Sequence, residues 1–301
     1  MILVDYSQVA LAAILTFQRE LKGTESEVKN LIRHATLATL KSYKKKYAKE
    51  YGEMVICCDG RKYWRRDVFE HYKANRKKAR DNSDLDWHLI FDTLSEMRDD
   101  IAKHFPWRVV HVERAEADDI IAVMTEWAQS NDLYAQGLIE EPQKVLILSS
   151  DKDFKQLQLE PFSTGNVRQW SPMQKKFFQA SKQEIMDFTI EHIVKGDSGD
   201  GIPNILSKDD VFVEGERQKP VSAKRLTEFL QRGIAACRSD EEKRNWVRNA
   251  KLIAFDHIPA DVKESILNHY LNNKPIGNKM SVMNYLIEHR CRLLLDEIEE
   301  F

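Results

Sequence analysis

Cysteine is scarce in this 301-residue chain. Its four thiols include an adjacent pair, Cys57 and Cys58, inside an apolar run, and none has the spacing of a structural metal site or a disulfide framework. They read as core thiols of a reducing compartment. Long hydrophobic runs are missing too, since no stretch approaches the ~20 apolar residues of a membrane-spanning helix. The chain opens directly on a strand-like segment, so a cytoplasmic location is expected and a secretory signal is not. Nine histidines are scattered with no catalytic or metal-binding arrangement. Internal repeats and low-complexity tracts are absent.

A hydrophobic fraction of 42% and a charged fraction of 31% are ordinary for a soluble globular protein. The length suffices for one large domain or two smaller ones. The net charge of −2 conceals strong segregation. From Arg61 to Arg80, nine Lys and Arg accompany only two acids, Asp67 and Glu70. Acids predominate elsewhere and end in Asp296-Glu297-Ile298-Glu299-Glu300-Phe301, which reads as a frayed helix terminus.

The first half alternates apolar strand-length runs with amphipathic segments, the pattern of an α/β domain with a largely parallel sheet. Strands are expected at 1–5, 53–59, 107–112, 144–149 and 167–171, the last followed by a hairpin through 177–179. Helices are expected at 7–21, 25–50, 84–104, 116–130 and 182–194, with Ser83 and Asp84 offering an N-cap for the third. After about residue 180 the pattern turns helical, with further helices at 222–235, 240–255, 261–271 and 280–298. Between two helical stretches lies Lys195-Gly196-Asp197-Ser198-Gly199-Asp200-Gly201-Ile202-Pro203, rich in glycine. A polar stretch at 207–221 reads as a loop.

Nine carboxylates fall at the ends of these elements: Asp5, Asp59, Glu116, Asp118, Asp119, Asp151, Asp153, Asp197 and Asp200. Ligands of an open parallel sheet bind outside the carboxyl ends of its strands, where Asp5, Asp59, Asp151 and Asp153 are expected. Singly, each acid has a plain reading as a strand-end cap or turn residue. Together on one rim they would repel one another and raise their pKa values unless cations were bound. Carboxylates without convergent His or Cys favour Mg²⁺ or Mn²⁺ over Zn²⁺. Two such ions about 3.5–4 Å apart can activate water and stabilise a leaving oxygen.

The basic segment begins directly after Asp59, as Arg61-Lys62-Tyr63-Trp64-Arg65-Arg66 and then His71-Tyr72-Lys73-Ala74-Asn75-Arg76-Lys77-Lys78-Ala79-Arg80. Cations that neutralise phosphates release counterions, and interleaved aromatics offer stacking surfaces for unpaired bases. The same aromatics are equally suited to packing the segment onto the protein body. The turn at 196–201 offers backbone N–H groups to a phosphate, a weak signal alone.

Together these residues resemble the flap endonuclease and 5′-nuclease family. Asp5, Asp59, Glu116-Ala117-Asp118-Asp119, Ser150-Asp151-Lys152-Asp153-Phe154 and Gly196-Asp197-Ser198-Gly199-Asp200-Gly201-Ile202-Pro203 occur in the family's order. Tyr72-Lys73-Ala74-Asn75-Arg76 resembles its basic arch motif. Three further motifs resemble the ribonuclease H branch of T-even phages: Tyr63-Trp64-Arg65-Arg66-Asp67, Gln169-Trp170-Ser171-Pro172-Met173 and Val213-Glu214-Gly215-Glu216-Arg217. The resemblance covers most of the chain.

The resemblance implies a PIN-like α/β nuclease core over 1–180, with a helical arch at about 61–82. It also implies a smaller helical domain over 181–301 that holds a helix–turn–helix-type duplex-binding element. The implied activity is a 5′→3′ exonuclease, flap endonuclease and RNase H that removes RNA primers of lagging-strand fragments with two Mg²⁺, or Mn²⁺ as substitute. Asp5, Asp59, Glu116, Asp118 and Asp151 would surround the first metal, with Asp118 and Asp151 central to catalysis. Asp119, Asp153, Asp197 and Asp200 would hold the second, largely through water. Lys73 and Arg76 would steady the scissile phosphate, and Tyr72 would stack on the displaced base.

Tyr63, Arg65, Arg66, Lys77, Arg80, Gly199, Gly201, Lys224 and Arg225 complete the implied nucleic-acid contacts. Many family members grip duplex backbone through a second Gly-x-Gly-x-Lys-like hairpin with a monovalent cation. This chain has only Ser222-Ala223-Lys224 there, which shifts duplex binding to Lys219, Lys224 and Arg225. Implied partners are an RNA–DNA hybrid, forked, nicked or flapped duplex DNA, a single-stranded DNA-binding protein and a sliding clamp. A monomer in the host bacterial cytoplasm is expected. Two other readings share the acidic rim: a non-catalytic fork-binding replisome protein that keeps the fold, and a toxin-like single-strand ribonuclease. The second would lack the arch and the glycine-rich turn.

Overall fold

Six strands form one sheet in the order β3-β2-β1-β4-β5-β6. They are β1 (Ile2–Asp5), β2 (Met54–Cys58), β3 (Arg108–His111), β4 (Val145–Leu148), β5 (Val167–Ser171) and β6 (Lys176–Phe177). The first five run parallel, and β6 folds back antiparallel on β5. Every residue of β1, β2 and β4 is buried, which accounts for their unbroken apolar runs, since helices cover both faces of a parallel sheet. The computed structural model describes residues 1–76, 83–130, 136–137 and 140–301. Lys77 and Arg80 lie outside the described residues.

The chain packs as two compact units. One contains Met1–Arg61, Asp84–Phe178 and Asp261–Phe301; the other contains Lys62–Ser83 and Gln179–Ala260. A single cut near 180 misses two of these crossings, because the basic segment and the C-terminal helices are buried in units distant from them in sequence.

In the sheet unit, α1 (Tyr6–Ile14), α2 (Glu25–Tyr51), α4 (Trp87–His104), α5 (Ala117–Gln129), α9 (Ala260–Asn272) and α10 (Lys279–Glu288) accompany the strands. A capping box starts α2, where Thr24 and Glu27 satisfy one another's backbone donors. The N-cap of α4 is Asp86, whose Oδ1 accepts from Leu89 N at 3.0 Å, instead of Ser83 or Asp84. The buried series Ile90, Leu94, Met97 and Ile101 sets that start, and Asp84 pairs with Lys22 instead.

The expected 7–21 helix ends at Ile14 and continues as two 3-10 turns. The expected 280–298 helix stops at Glu288, where Arg290 takes a left-handed φ of 55° that ends a helix. The acidic C-terminal end is not frayed. Phe301 is buried, its ring 5.7 Å from that of Trp107, and Lys41 and Lys45 pair with Glu297 and Glu300. A buried aromatic flanked by two ion pairs is a docked segment.

The helical unit is built from α3 (Trp64–Val68), α6 (Lys182–Lys195), α7 (Ala223–Arg232) and α8 (Asp240–Ile253). Phe69 and Tyr72 of the basic segment pack with Ile193, Ile202, Leu252 and Ile253 in one apolar cluster. A second cluster joins Val194, Ile205, Phe229 and Ala236. Polar side chains stitch the turn after α6 to α8. Asn249 donates to the carbonyls of Ile193 and Pro203, and Asn245 donates to that of Ile205.

Candidate active site

The strand order reverses direction at β1, with β2 on one side and β4 on the other. In parallel sheets that switch point opens a crevice outside the strand ends. Asp5 stands there as the last residue of β1 and the N-cap of α1, its Oδ1 accepting from Gln8 N at 3.2 Å. Its Oδ2 accepts from Ser149 Oγ, 2.8 Å away at the end of β4. Asp59 follows β2; its two oxygens accept from Ser7 Oγ at 3.1 Å and from Ala117 N at 2.9 Å.

Gly60 makes that second bond reachable. A Cβ on Gly60 would lie 2.4 Å from the Val112 carbonyl, while its own N–H donates to Ala115 O at 2.8 Å. The loop before α5 thus rests directly against the strand end carrying Asp59.

Glu116 is the N-cap of α5, and Asp119 is the third residue of that helix. Each side chain accepts the other's backbone N–H in a capping box. Both are buried, with Asp118 half-buried between them. Asp151 is exposed beyond β4, and its Oδ1 accepts from Asp153 N at 2.9 Å.

The electrostatics of this rim are those of crowded like charges. Asp5 is 7% exposed, and burial pushes its carboxyl up to about 7. The charges of Asp59 and Asp151 act in the same direction, against the bonds from Ser149 and Gln8. A cation bound among these oxygens would hold them ionised. The donor set is entirely carboxylate, which suits a hard divalent ion.

The other predicted acids belong to the helical unit. Asp197 Oδ1 accepts from the N–H groups of Gly199 and Asp200 at 2.7 and 3.3 Å, and its Oδ2 lies 3.6 Å from His192 Nε2. Burial pushes the Asp197 carboxyl up, but the His192 hydrogen bond and charge, with the two N–H donors, outweigh it and leave the pKa lowered. Gly196 ends α6 at φ +68°, and Gly201 is at φ +70° with its α-carbon facing Asn75 and His71. No side chain fits either position without strain.

That turn holds the basic segment. Lys73 N donates to Asp200 O at 2.7 Å, and Asn75 Nδ2 donates to Ser198 O at 2.6 Å. Arg76 Nε donates to Gly199 O at 3.2 Å, and its guanidinium also pairs with Asp200. Tyr72 Oη donates to Asp200 Oδ2 at 3.0 Å, and Lys73 Nζ lies 3.7 Å from the same oxygen. Lys73 itself adopts a left-handed φ of 58°, which is uncommon for a residue with a Cβ.

Several predicted nucleic-acid contacts have internal partners. Tyr72, expected to stack on a base, is 3% exposed inside the apolar cluster. Arg65 is buried and donates to Leu252 O at 2.9 Å. Arg225 is buried and bonds Glu228, Glu242 and the Ala236 carbonyl. Both guanidiniums are spent on holding the helical unit together. Arg66 and Lys224 are exposed, Tyr63 is half-buried, and Gly199 lies on the surface. Ser7, Gln8, Gly60, Ser149 and His192 touch the candidate acids or their backbone and were not singled out from sequence, and Gln169 entered only as part of a motif that carries the resemblance.

Residues 1–187 match the family described as the 5′-3′ exonuclease, N-terminal resolvase-like domain, and residues 182–301 match the T4 RNase H C-terminal family. The chain is 32% identical over 309 residues to the ribonuclease H of Enterobacteria phage T4, covering 99% of this chain and 95% of the relative. Its fold is similar to that of a bacteriophage T5 flap endonuclease solved in a pseudo-enzyme–product complex with DNA and metal ions. That likeness has a TM-score of 0.59 at 14% identity, covering 90% of this chain and 96% of the other. A T5 5′-exonuclease with bound zinc is also similar, with a TM-score of 0.58 at 14% identity over 91% and 98% of the two chains.

Proposed function

The chain belongs to the 5′-3′ exonuclease family, with a C-terminal part of the T4 RNase H type, and from that premise we propose its reaction. It is a nuclease that hydrolyses phosphodiester bonds. We assign it a Mg²⁺-dependent, structure-specific 5′→3′ exonuclease and flap endonuclease activity, with RNase H action on primers of lagging-strand fragments. Forked, nicked or flapped duplexes and RNA–DNA hybrids are its substrates.

The observation that carries this reading is the convergence of Asp5, Asp59 and Asp151 at the switch point, with the Asp5 carboxyl pushed up by burial and like charge. A buried carboxylate crowded by neighbouring like charges is costly without a cation. Asp5, Asp59, Glu116, Asp118 and Asp151 would hold a first divalent ion. Asp119 and Asp153 would serve a second through water. Bound divalent ions supply a water of lowered pKa and neutralise charge on the reacting phosphate.

The residues around the acids do the positioning. Ser7 and the Ala117 N–H orient Asp59, and Ser149 orients Asp5. Lys73 and Arg76 bring fixed positive charge to the non-bridging phosphate oxygens, where it is most effective as charge develops. Exposed Arg66, Lys219 and Lys224 contribute duplex-backbone contacts. A single-stranded DNA-binding protein and a sliding clamp are the partners this reading adds, with the enzyme acting as a monomer in a bacterial cytoplasm.

The test is product analysis on a 5′-labelled flap and on a nicked RNA–DNA hybrid, with Mg²⁺ and with EDTA. Short 5′ products that require Mg²⁺ support the assignment. Undiminished turnover in EDTA would sink the metal mechanism. Tight fork binding with no cleavage in Mg²⁺ or Mn²⁺ would favour a non-catalytic fork-binding protein.

A further inference from the structure

We infer that Ser149 and Gln169 are positioning residues, which together fix the Asp5 and Asp151 carboxylates across the β1–β4 switch point. The inference rests on the reading of the acidic rim as a divalent-ion site.

Ser149 is fully buried, and its one hydroxyl serves both acids. Oγ donates to Asp5 Oδ2 at 2.8 Å and accepts from Asp151 N at 3.1 Å. The Asp151 N–H occupies a lone pair of Oγ, so the single hydroxyl proton is directed at Asp5. One atom therefore ties the Asp5 carboxylate to the backbone from which Asp151 projects.

Gln169 stands behind that hydroxyl on β5. Its Nε2 donates to the Ser149 carbonyl at 2.9 Å and also to the Asp151 carbonyl. Both protons of one amide are thus spent on the turn that carries Asp151. The Gln169 side chain is fully buried, and its Oε1 meets no hydrogen-bond donor among the described residues. An unpaired buried acceptor works against folding. An apolar side chain of similar volume would remove that acceptor, but it would also strip the donor from the Ser149 and Asp151 carbonyls, so the amide is kept for what it holds in place.

Neighbouring groups pin the rest of the turn. Ser150 N donates to Gln8 Oε1 at 3.2 Å. Ser150 Oγ meets Ser171 Oγ at 2.9 Å and accepts from Met173 N at 3.1 Å. The motif Gln169-Trp170-Ser171-Pro172-Met173, which contributes no acid, thereby acquires a task. Its polar members brace the backbone from which Asp151 projects. Removing a partner that orients a metal-binding side chain commonly lowers metal affinity about 10–100-fold.

The test is calorimetric titration of Mn²⁺ into the DNA-free full chain, with thermal unfolding measured alongside. Wild type is compared with Gln169→Met, Ser149→Ala and the double variant. Gln169→Met is expected to lower the unfolding midpoint only modestly, leaving a folded protein, while Mn²⁺ affinity falls about tenfold. Ser149→Ala is expected to lose a similar factor, and the double variant less than the product of the two, because both act through one turn. If wild type binds Mn²⁺ and both folded single variants match it within about twofold, the inference is overturned and the residues serve the fold alone. Wild-type protein that binds no Mn²⁺ would instead overturn the reading beneath it. Should Gln169→Met fail to fold, Ser149→Ala carries the same comparison.

Discussion

The carboxylate of Asp200 accepts from Tyr72 Oη at 3.0 Å and also holds the guanidinium of Arg76. One acid of the glycine-rich turn thus occupies the cations assigned to the scissile phosphate. In this structure Asp200 is the anion that pairs with both Lys73 and Arg76.

Removing that anion should loosen the basic segment. Hydrogen bonds to charged groups contribute about 1.5–3 kcal/mol, and the half-exposed Arg76 side chain places its share at the low end. Asp200→Asn is therefore expected to raise the rate of tryptic cleavage after Lys73 and Arg76 roughly tenfold in the DNA-free protein. Limited proteolysis followed by mass spectrometry reads this directly. An unchanged cleavage rate would show that the apolar cluster around Phe69 and Tyr72 holds the segment by itself.

The acids assigned to chemistry should separate cleavage from binding. Asp118→Asn and Asp151→Asn each remove one charge from the half-buried or exposed side of the rim. Hydrolysis of a labelled flap should fall by at least roughly 10²–10³-fold. Affinity for the same forked duplex, measured by anisotropy in Ca²⁺, should change little. Equal losses in both would make these residues part of the binding surface.

Asp5 predicts a pH dependence with a definite sign. Its folded-state pKa is raised to about 7 from 3.8, so between those values the folded chain keeps a proton that the unfolded chain has released. Its contribution to stability is full below pH 3.8 and is lost as pH rises through about 7. Asp5→Asn, which cannot ionise, should therefore melt higher than wild type at pH 8 without divalent ions. The gap should close toward pH 4 and shrink again when Mg²⁺ is added to wild type. Scanning calorimetry across that range decides it, and identical midpoints at pH 8 would remove the buried-charge account.

Gly60 should tolerate no side chain. With a Cβ 2.4 Å from the Val112 carbonyl, Gly60→Ala must push the loop before α5 away from Asp59. The loss expected is about 1–3 kcal/mol, the range of overpacked core positions. Cleavage should suffer beyond that, since Asp59 would lose the Ala117 N–H. Urea unfolding with activity measured on the folded fraction separates the two effects.

Much of the sheet was legible because its strands are apolar on both faces and end in acids. All six strands fall within two residues of their expected positions. The helix ends were less legible. Asp86, and not Asp84, caps α4 because burial of Ile90 and its successors decides where that helix begins. The charged residues divided by burial, which charge patterning does not encode. Arg66 and Lys224 point to solvent, while Arg65 and Arg225, one residue away, are consumed internally. Residues that hold the acids in place were legible least of all. Gln169 and Gly60 act through backbone carbonyls contributed by distant segments, and no local pattern marks such a contact.

The bond from Ser149 to Asp5 spans 144 residues of chain. Contacts of such long range form late in folding, after the entropy of closing the intervening chain has been met. With Asp5 on β1 and Asp151 beyond β4, the acidic rim is complete only once those two strands, far apart in the chain, lie side by side.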